Sequence, residues 1–465
     1  MVAVRSSSFI SVILVLFIIA GSGTIQVAAQ EDNYDWQMSG GDSMHSSSTS
    51  YGLWYAPNVK VWEVEALSFF EMVSARDGTI YAALSNNSLI SISSLGKVNW
   101  YLQMEAPFVG SPAVADDGTI YVVVYSLSSY DGEVGLYDGL VHAISPSGSI
   151  IHTAVISDMR DSSEPVITSL GEIMVHVESL NRTSRGLITK DEVILFDKDL
   201  VQKWCYFEFR PDMWDVGPYE APSVALDGSS TLWFNGTMIH LSANGEKEWS
   251  YHPGEYSEPY YESMQKRYPI LVHEDGRIYF AFEDYAICLL PNGTVSWKYH
   301  LLSMLAYPIA IDERSVVFTD GKYLMELYVD GYSMWRYWIK DGGISDGILT
   351  DNNAVVFASG HYIYSANSYI YNGIINLTAE APDGLGTEDW SVVSWLLTGN
   401  NTICYQTGGG LGKIVTMKFD PEHKDATSTA AMSVEDASIF LVIVVALAVV
   451  IFLVSHFLPK KGKKR

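Results

Sequence analysis

Ser111-Pro-Ala-Val-Ala-Asp-Asp-Gly-Thr-Ile-Tyr-Val-Val-Val124 reads as strand, tight turn, strand. Apolar residues run to an Asp-Gly pair and resume as Ile-Tyr-Val-Val-Val. Asp-Gly supplies the positive φ angles of a two-residue hairpin. Leu140-Val-His-Ala-Ile-Ser-Pro-Ser-Gly148 adds a third strand and a second Gly turn. Asp77-Gly-Thr-Ile-Tyr81 repeats the motif, and Asp275-Gly-Arg-Ile-Tyr279 nearly does. Weaker copies begin at Leu170, Asp227, Asp312, Asp351 and Asn400. That makes eight copies at gaps of 37 to 57 residues, all with strand signals. Such a period predicts an all-β propeller or array. Eight blades are expected, with seven as the alternative because the sixth and seventh repeats are short.

A Trp follows the Gly of the second turn by four residues at Trp100, Trp249, Trp297 and Trp335. Trp204 stands in the same place after Asp197-Lys-Asp199, without the Gly. A Trp fixed in the outer strand locks each sheet to its neighbour by burying a large apolar ring. The last repeat has strands near 390–397, 402–406 and 413–419 but no Trp strand. Val59-Lys-Val-Trp-Glu-Val-Glu-Ala66 is an orphan Trp strand at the start. Pairing the two ends closes the ring and removes open edges.

The pattern Pro-x-Val-x-x-Asp-Gly-Thr-Ile-Tyr-Val, then a strand, then Gly-x-x-x-Trp resembles the repeats of pyrroloquinoline-quinone-type propellers. These include bacterial quinoprotein alcohol dehydrogenases and an outer-membrane assembly lipoprotein. The resemblance covers roughly residues 59–420 and is clearest at 111–148 and 269–297. More loosely, signal, repeats and one C-terminal span together are similar to the plant gamete-expressed membrane proteins with quinoprotein-like repeats. That resemblance implies a plasma-membrane protein acting in pollen-tube guidance and early embryo development.

Residues 1–29 read as a secretory signal peptide: Arg5, an apolar core from Phe9 to Ala20, and small residues at Val27-Ala-Ala29. Residues 30–57 are rich in Asp, Ser, Gly and Met and predict a loose segment. The ectodomain is expected over 58–420 and a polar stalk over 421–436. Residues 437–458 are apolar enough to span a bilayer, and 459–465 form a basic cytoplasmic tail. The product is then a single-pass type I protein. Lys461 and Lys463, five and three positions from the end, resemble an endoplasmic reticulum retrieval signal; setting topology is the other reading. Sequons begin at Asn86, Asn181, Asn235, Asn292, Asn376 and Asn400 and mark an extracytosolic ectodomain.

The net charge is −26. Without Arg5 and the five tail cations the remainder carries −32, which excludes a nucleic-acid binder. Cys205, Cys288 and Cys404 lie in three different repeats and read as buried thiols.

Enzyme signals are missing. Quinone-dependent dehydrogenases of the resembled fold share an adjacent Cys-Cys pair and a calcium-side Asp base; this chain has no adjacent cysteines, and no Asp or Glu is assignable to that site. Thr407-Gly-Gly-Gly-Leu-Gly-Lys413 fails as a phosphate loop, since Thr407 stands for the first Gly and Ile414 follows the Lys. No His pair has metal spacing. No catalytic, cofactor or metal residues are expected. Long insertions are more informative. Ser126–Gly139 and Glu178–Asp191 join second to third strands; Tyr206–Ala221 and His252–Tyr268 join one repeat to the next. In a meander these emerge on one rim. Tyr206, Trp214, Asp215, Tyr219, Glu220, Tyr256, Tyr260 and Tyr261 give that rim aromatic anchors among acids, suited to a protein or glycan partner. The expected function is non-catalytic recognition. A lumenal scaffold and, more remotely, a quinone-dependent oxidoreductase are the alternatives.

Overall fold

The structure is a computed structural model. It describes residues 36–49, 51, 57, 59–68, 70–130, 135–183, 186–210, 221–234, 236–254, 269–302, 306–320, 323–339, 344–350, 354–359, 362–366, 371–376, 392–399, 402–407 and 412–418. Among these, every regular element is a β-strand, and no helix is long and apolar enough to cross a membrane. The expected signal peptide, stalk, span and basic tail lie outside the described residues.

The repeat is a four-stranded antiparallel meander. In the first, Val73–Ser74, Ile80–Ala83, Ser88–Ile92 and Val98–Gln103 pair in chain order. The same order recurs over 223–251, 271–300, 307–338 and 344–376. Residues 113–210 form one sheet of eight strands, two meanders fused by pairing of Ile150–Ser162 with Ile173–Thr183. The last sheet joins Val392–Gly399, Thr402–Thr407 and Lys413–Lys418 to Val59–Glu65 from the opposite end of the chain. The orphan Trp strand therefore takes the fourth place, with Val64 opposite Ile414.

The Asp-Gly turn differs from the two-residue expectation. Ala75 N donates to Thr79 O and Gly78 N to Ala75 O, which closes a three-residue loop. Only Gly78 is left-handed there, at φ 78°. The Asp77 carboxylate accepts from Thr79 N at 2.9 Å. This is a type I turn followed by a left-handed glycine. Asp117-Gly118 repeats it.

The core lies between neighbouring sheets. Ile80 and Ala82 pack toward the closing sheet, against Ile403 and Ile414. Tyr81 and Ala83 pack the other way, against Val114 and Val122. Both faces of the second strand are covered, so it reads as a continuous apolar run. The fourth strand has one covered face and alternates, as in Val98–Gln103.

The Trp residues lock sheet to sheet as expected. The indoles of Trp62, Trp100, Trp204, Trp249 and Trp297 each lie on the second-turn glycine of the following sheet and donate to a carbonyl of that turn; the turn that would follow Trp335 lies outside the described residues. Trp100 Nε1 reaches Pro146 O at 2.8 Å, Trp204 reaches Ala243 O at 3.0 Å, and Trp249 reaches Pro291 O at 2.9 Å. Trp62 on the closing strand reaches Ser94 O at 3.1 Å and covers Gly96.

Residues 36–49 are not loose. The segment runs round the inner strands and caps their amides. Ser74 N donates to Trp36 O, Val114 N to Gln37 O, Val224 N to Ser43 O, Val272 N to Met44 O, Ile311 N to Ser46 O and Leu349 N to Ser47 O. Trp36 and Met38 are buried. Main-chain carbonyls make these bonds, so a polar composition does not predict them.

Candidate interaction surface

The expected long loops at 126–139 and 178–191 are extended hairpins instead. Ile120–Tyr130 pairs with Gly135–Ile144, and Ile173–Thr183 pairs with Gly186–Phe196. Tyr206 is also corrected: it lies on Gln202–Arg210, opposite Val193, not in a loop. The cause is legible afterwards. Glu178 and the run Lys190-Asp-Glu192 break the apolar pattern of these strands, although Glu178, Asp191 and Glu192 are buried in the sheet.

Together the extensions build a raised crown on one rim of the array. Its order is Gln202–Arg210, Gly186–Phe196, Ile173–Thr183, Ile150–Ser162, Gly135–Ile144, Ile120–Tyr130. The register sets four carboxylates in one row: Asp161 opposes Glu178, Glu178 opposes Asp191, and Asp191 opposes Glu208. Like charges in such a row repel, and neighbours offset them. Arg160 Nη1 lies 3.0 Å from Glu178 Oε1. Tyr125 Oη donates to Asp161 at 2.7 Å. Lys247 Nζ donates to Glu208 at 2.7 Å, and Tyr206 Oη also donates there. Burial pushes the Glu208 carboxyl upward, but the Lys247 and Tyr206 bonds outweigh it and hold it below its ordinary value.

On the outer strand Phe207 and Phe209 share one face, 48% and 51% exposed. Their rings meet edge to face at 5.5 Å, and Lys190 Nζ stands 4.5 Å from the centre of Phe207. Lys190 also reaches Glu192 at 2.5 Å. The surface thus offers a half-exposed aromatic pair framed by fixed charges. Reading 206–221 as a loop missed Phe209 and Lys190; the alternation in Tyr206-Phe-Glu-Phe209 was the available signal.

Of the other expected face residues, Trp214, Asp215, Tyr219, Glu220, Tyr256, Tyr260 and Tyr261 lie outside the described residues. Asn86 and Asn292 are exposed on turns and Asn181 is exposed on a strand of the crown. The side chain of Asn376, together with Asn235, Asn400, Lys461 and Lys463, lies outside the described residues. The three cysteines are free, with Cys288 and Cys404 buried and Cys205 half-buried. Burial pushes all three thiols up to about 12, so none is a ready nucleophile. Among the described residues no group of three His, Cys, Asp or Glu has metal-binding geometry.

The chain is similar to BamB from Moraxella catarrhalis, with a TM-score of 0.55 at 13% identity over 78% of this chain and 99% of that one. It is similar to the quinohemoprotein alcohol dehydrogenase of Comamonas testosteroni, with a TM-score of 0.58 at 10% identity over 86% and 83%. The alcohol dehydrogenase ADHIIG of Pseudomonas putida gives 0.55 at 10% over 89% and 85%. The fold is that of the quinoprotein-like propellers. At these identities the likeness concerns fold alone. No family model and no curated protein matches the chain.

Proposed function

We propose that this propeller is a non-catalytic recognition module that engages a protein partner through the crown. The observation that carries the reading is the Phe207–Phe209 pair, half-exposed on a strand that outruns the outer strands of the other sheets. Partly buried aromatics framed by fixed charges make anchors at protein interfaces. Counting the fused sheet as two meanders, the proposed ring has eight blades, closed by the strands from both ends. The segment 36–49 crossing the hub supports a non-catalytic reading, as does the scattering of the cysteines over three sheets. The sequence further supports a signal peptide, glycans on the exposed sequons and a single C-terminal span. Placement at the plasma membrane, in gametes, rests only on the resemblance of signal, repeats and C-terminal span taken together.

The test is affinity capture with tagged full-length chain, comparing Phe207→Ser with Phe209→Ser combined against Trp338→Ser. Trp338 is a half-exposed aromatic on another sheet. A partner held by wild type and W338S but lost by the double variant is the expected result. Identical captures from all three would sink the crown reading.

A second reading, an endoplasmic reticulum scaffold, is favoured by Lys461 and Lys463. Changing both to Ala releases the chain to the surface if that reading holds, and leaves its location unchanged if the lysines only set topology.

A further inference from the structure

The hub poses a question that the crown does not answer. Six inner-strand amides, of Ser74, Val114, Val224, Val272, Ile311 and Leu349, all find their acceptors on one short segment. Those acceptors are main-chain carbonyls, and any extended polypeptide carries the same groups. The ring of amides therefore constitutes a receptor for backbone, whatever the sequence that fills it.

The segment that fills it is held by these bonds, but three features leave room for a replacement. Its side chains are mostly small and polar, and Trp36, Met38 and Met44 are its large apolar ones. Two non-glycine residues, His45 and Ser47, hold left-handed φ angles of 56° and 47°. Residues other than glycine adopt such angles only at a cost in backbone strain. Beside the segment a solvent-open cavity of about 400 Å³ remains, where Met44, Ser46 and Ser48 face a rim that includes Glu274, Asp312 and Arg314.

His45 is half-buried; its Nδ1 lies 3.2 Å from Ser223 Oγ, and its Nε2 is buried with no hydrogen-bond partner in the structure. A buried polar atom left without a partner is destabilising. Asp42 of the same segment and Glu164 from the neighbouring sheet are the charged groups that act on it.

We propose that the hub is a peptide-binding channel whose resident ligand is the chain's own segment 36–49, and that an extended segment of a partner protein takes the same ring of amides. The segment's carbonyls hold it; its strain and the cavity beside it leave room for a better-packed competitor. The incoming chain is recognised by backbone, with small polar residues where the segment has Ser43, Ser46 and Ser47, and with one larger side chain for the cavity. This site is separate from the crown, and crown variants leave it intact.

Hydrogen exchange of the full chain is the first test. The six amides are expected to exchange together, at least about tenfold faster than the mid-strand amides of Val122 and Phe318. A single rate for both sets would overturn the proposal, because the segment would then leave only when the sheets do. The second test uses a labelled peptide covering residues 36–49. It is expected to bind saturably to a chain lacking those residues, and at least about tenfold more weakly to the full chain. A scrambled peptide should bind neither. A shortened chain with an unchanged far-ultraviolet spectrum that ignores the peptide overturns the proposal. If the shortened chain does not fold, the exchange ratio in the full chain decides alone.

Discussion

Leu200 adopts a φ of 62° at a turn where five other meanders carry a left-handed glycine, and the reason is what lies above it. Gly96, Gly148, Gly245, Gly293 and Gly331 each sit beneath a tryptophan of the preceding sheet. The outer strand of the preceding meander, Ile150–Ser162, has no tryptophan, so a side chain fits. A Cβ at Gly245 would stand 2.6 Å from the Trp204 ring, whereas one at Gly171, also left-handed, would meet nothing within 4 Å. Gly171→Ala should therefore cost about 1 kcal/mol from backbone strain alone. Gly245→Ala adds a clash of about 1–3 kcal/mol. Equal midpoints for the two variants in urea unfolding would refute the stacking account. His45 offers a titration at the same scale. Burial lowers its pKa below 6.5, against the pull of Glu164 and Asp42 toward a higher value. The unfolded chain then binds more protons than the folded one as the pH falls below 6.5, so this contribution to stability is full above 6.5 and shrinks below it. The stability gap between wild type and His45→Gln should narrow from about pH 8 to about pH 5. A gap that stays constant with pH would rule out His45 as the titrating group.

Where the tryptophan lock is absent, strands replace it. Tyr121 Oη donates to Lys198 O at 2.9 Å across the seam that lacks an indole. The same two meanders are joined by main-chain pairing through Ser162–Val177, Asp161–Glu178 and Met159–Ser179. Much of the fold was legible in the sequence because its signals are local: turn chemistry at Asp117-Gly118, Trp at a constant distance past Gly, and an orphan strand around Trp62. The crown was less so. Glu178 to Asp191 carries enough charge to pass for a loop, and only cross-strand partners such as Arg160 make those charges tolerable within a sheet. The hub segment left no signature, since carbonyls rather than side chains hold it. The closing pair of strands gives the element-scale prediction. Val64 and Ile414 are directly opposed. Val64→Cys with Ile414→Cys should form a cross-link under mild oxidation and raise stability by up to about 5 kcal/mol, the gain for closing a very long loop. Failure of the cross-link to form in folded protein would contradict the pairing of the chain's two ends.

The whole molecule carries 54 acidic residues against 28 Lys and Arg, and that imbalance acts on every sheet at once. Two effects of salt compete. Exposed ion pairs such as Arg76–Asp116, at 2.7 Å, lose strength when screened, but pairs of this kind contribute at most about 1 kcal/mol each. The net charge of −26 repels itself over longer distances, and screening relieves that repulsion. At about 0.01 M salt the screening length is roughly 30 Å, enough for neighbouring sheets to feel one another; at about 0.15 M it is roughly 8 Å. Longer-range repulsion is thus the interaction most reduced between these conditions. The melting temperature should rise as sodium chloride is increased over that range, and it should rise further at fixed salt when exposed acids far from the crown are neutralised. A melting temperature that falls with salt would mean that the specific pairs, with the crown's Arg160–Glu178 and Lys247–Glu208 foremost, outweigh the general field.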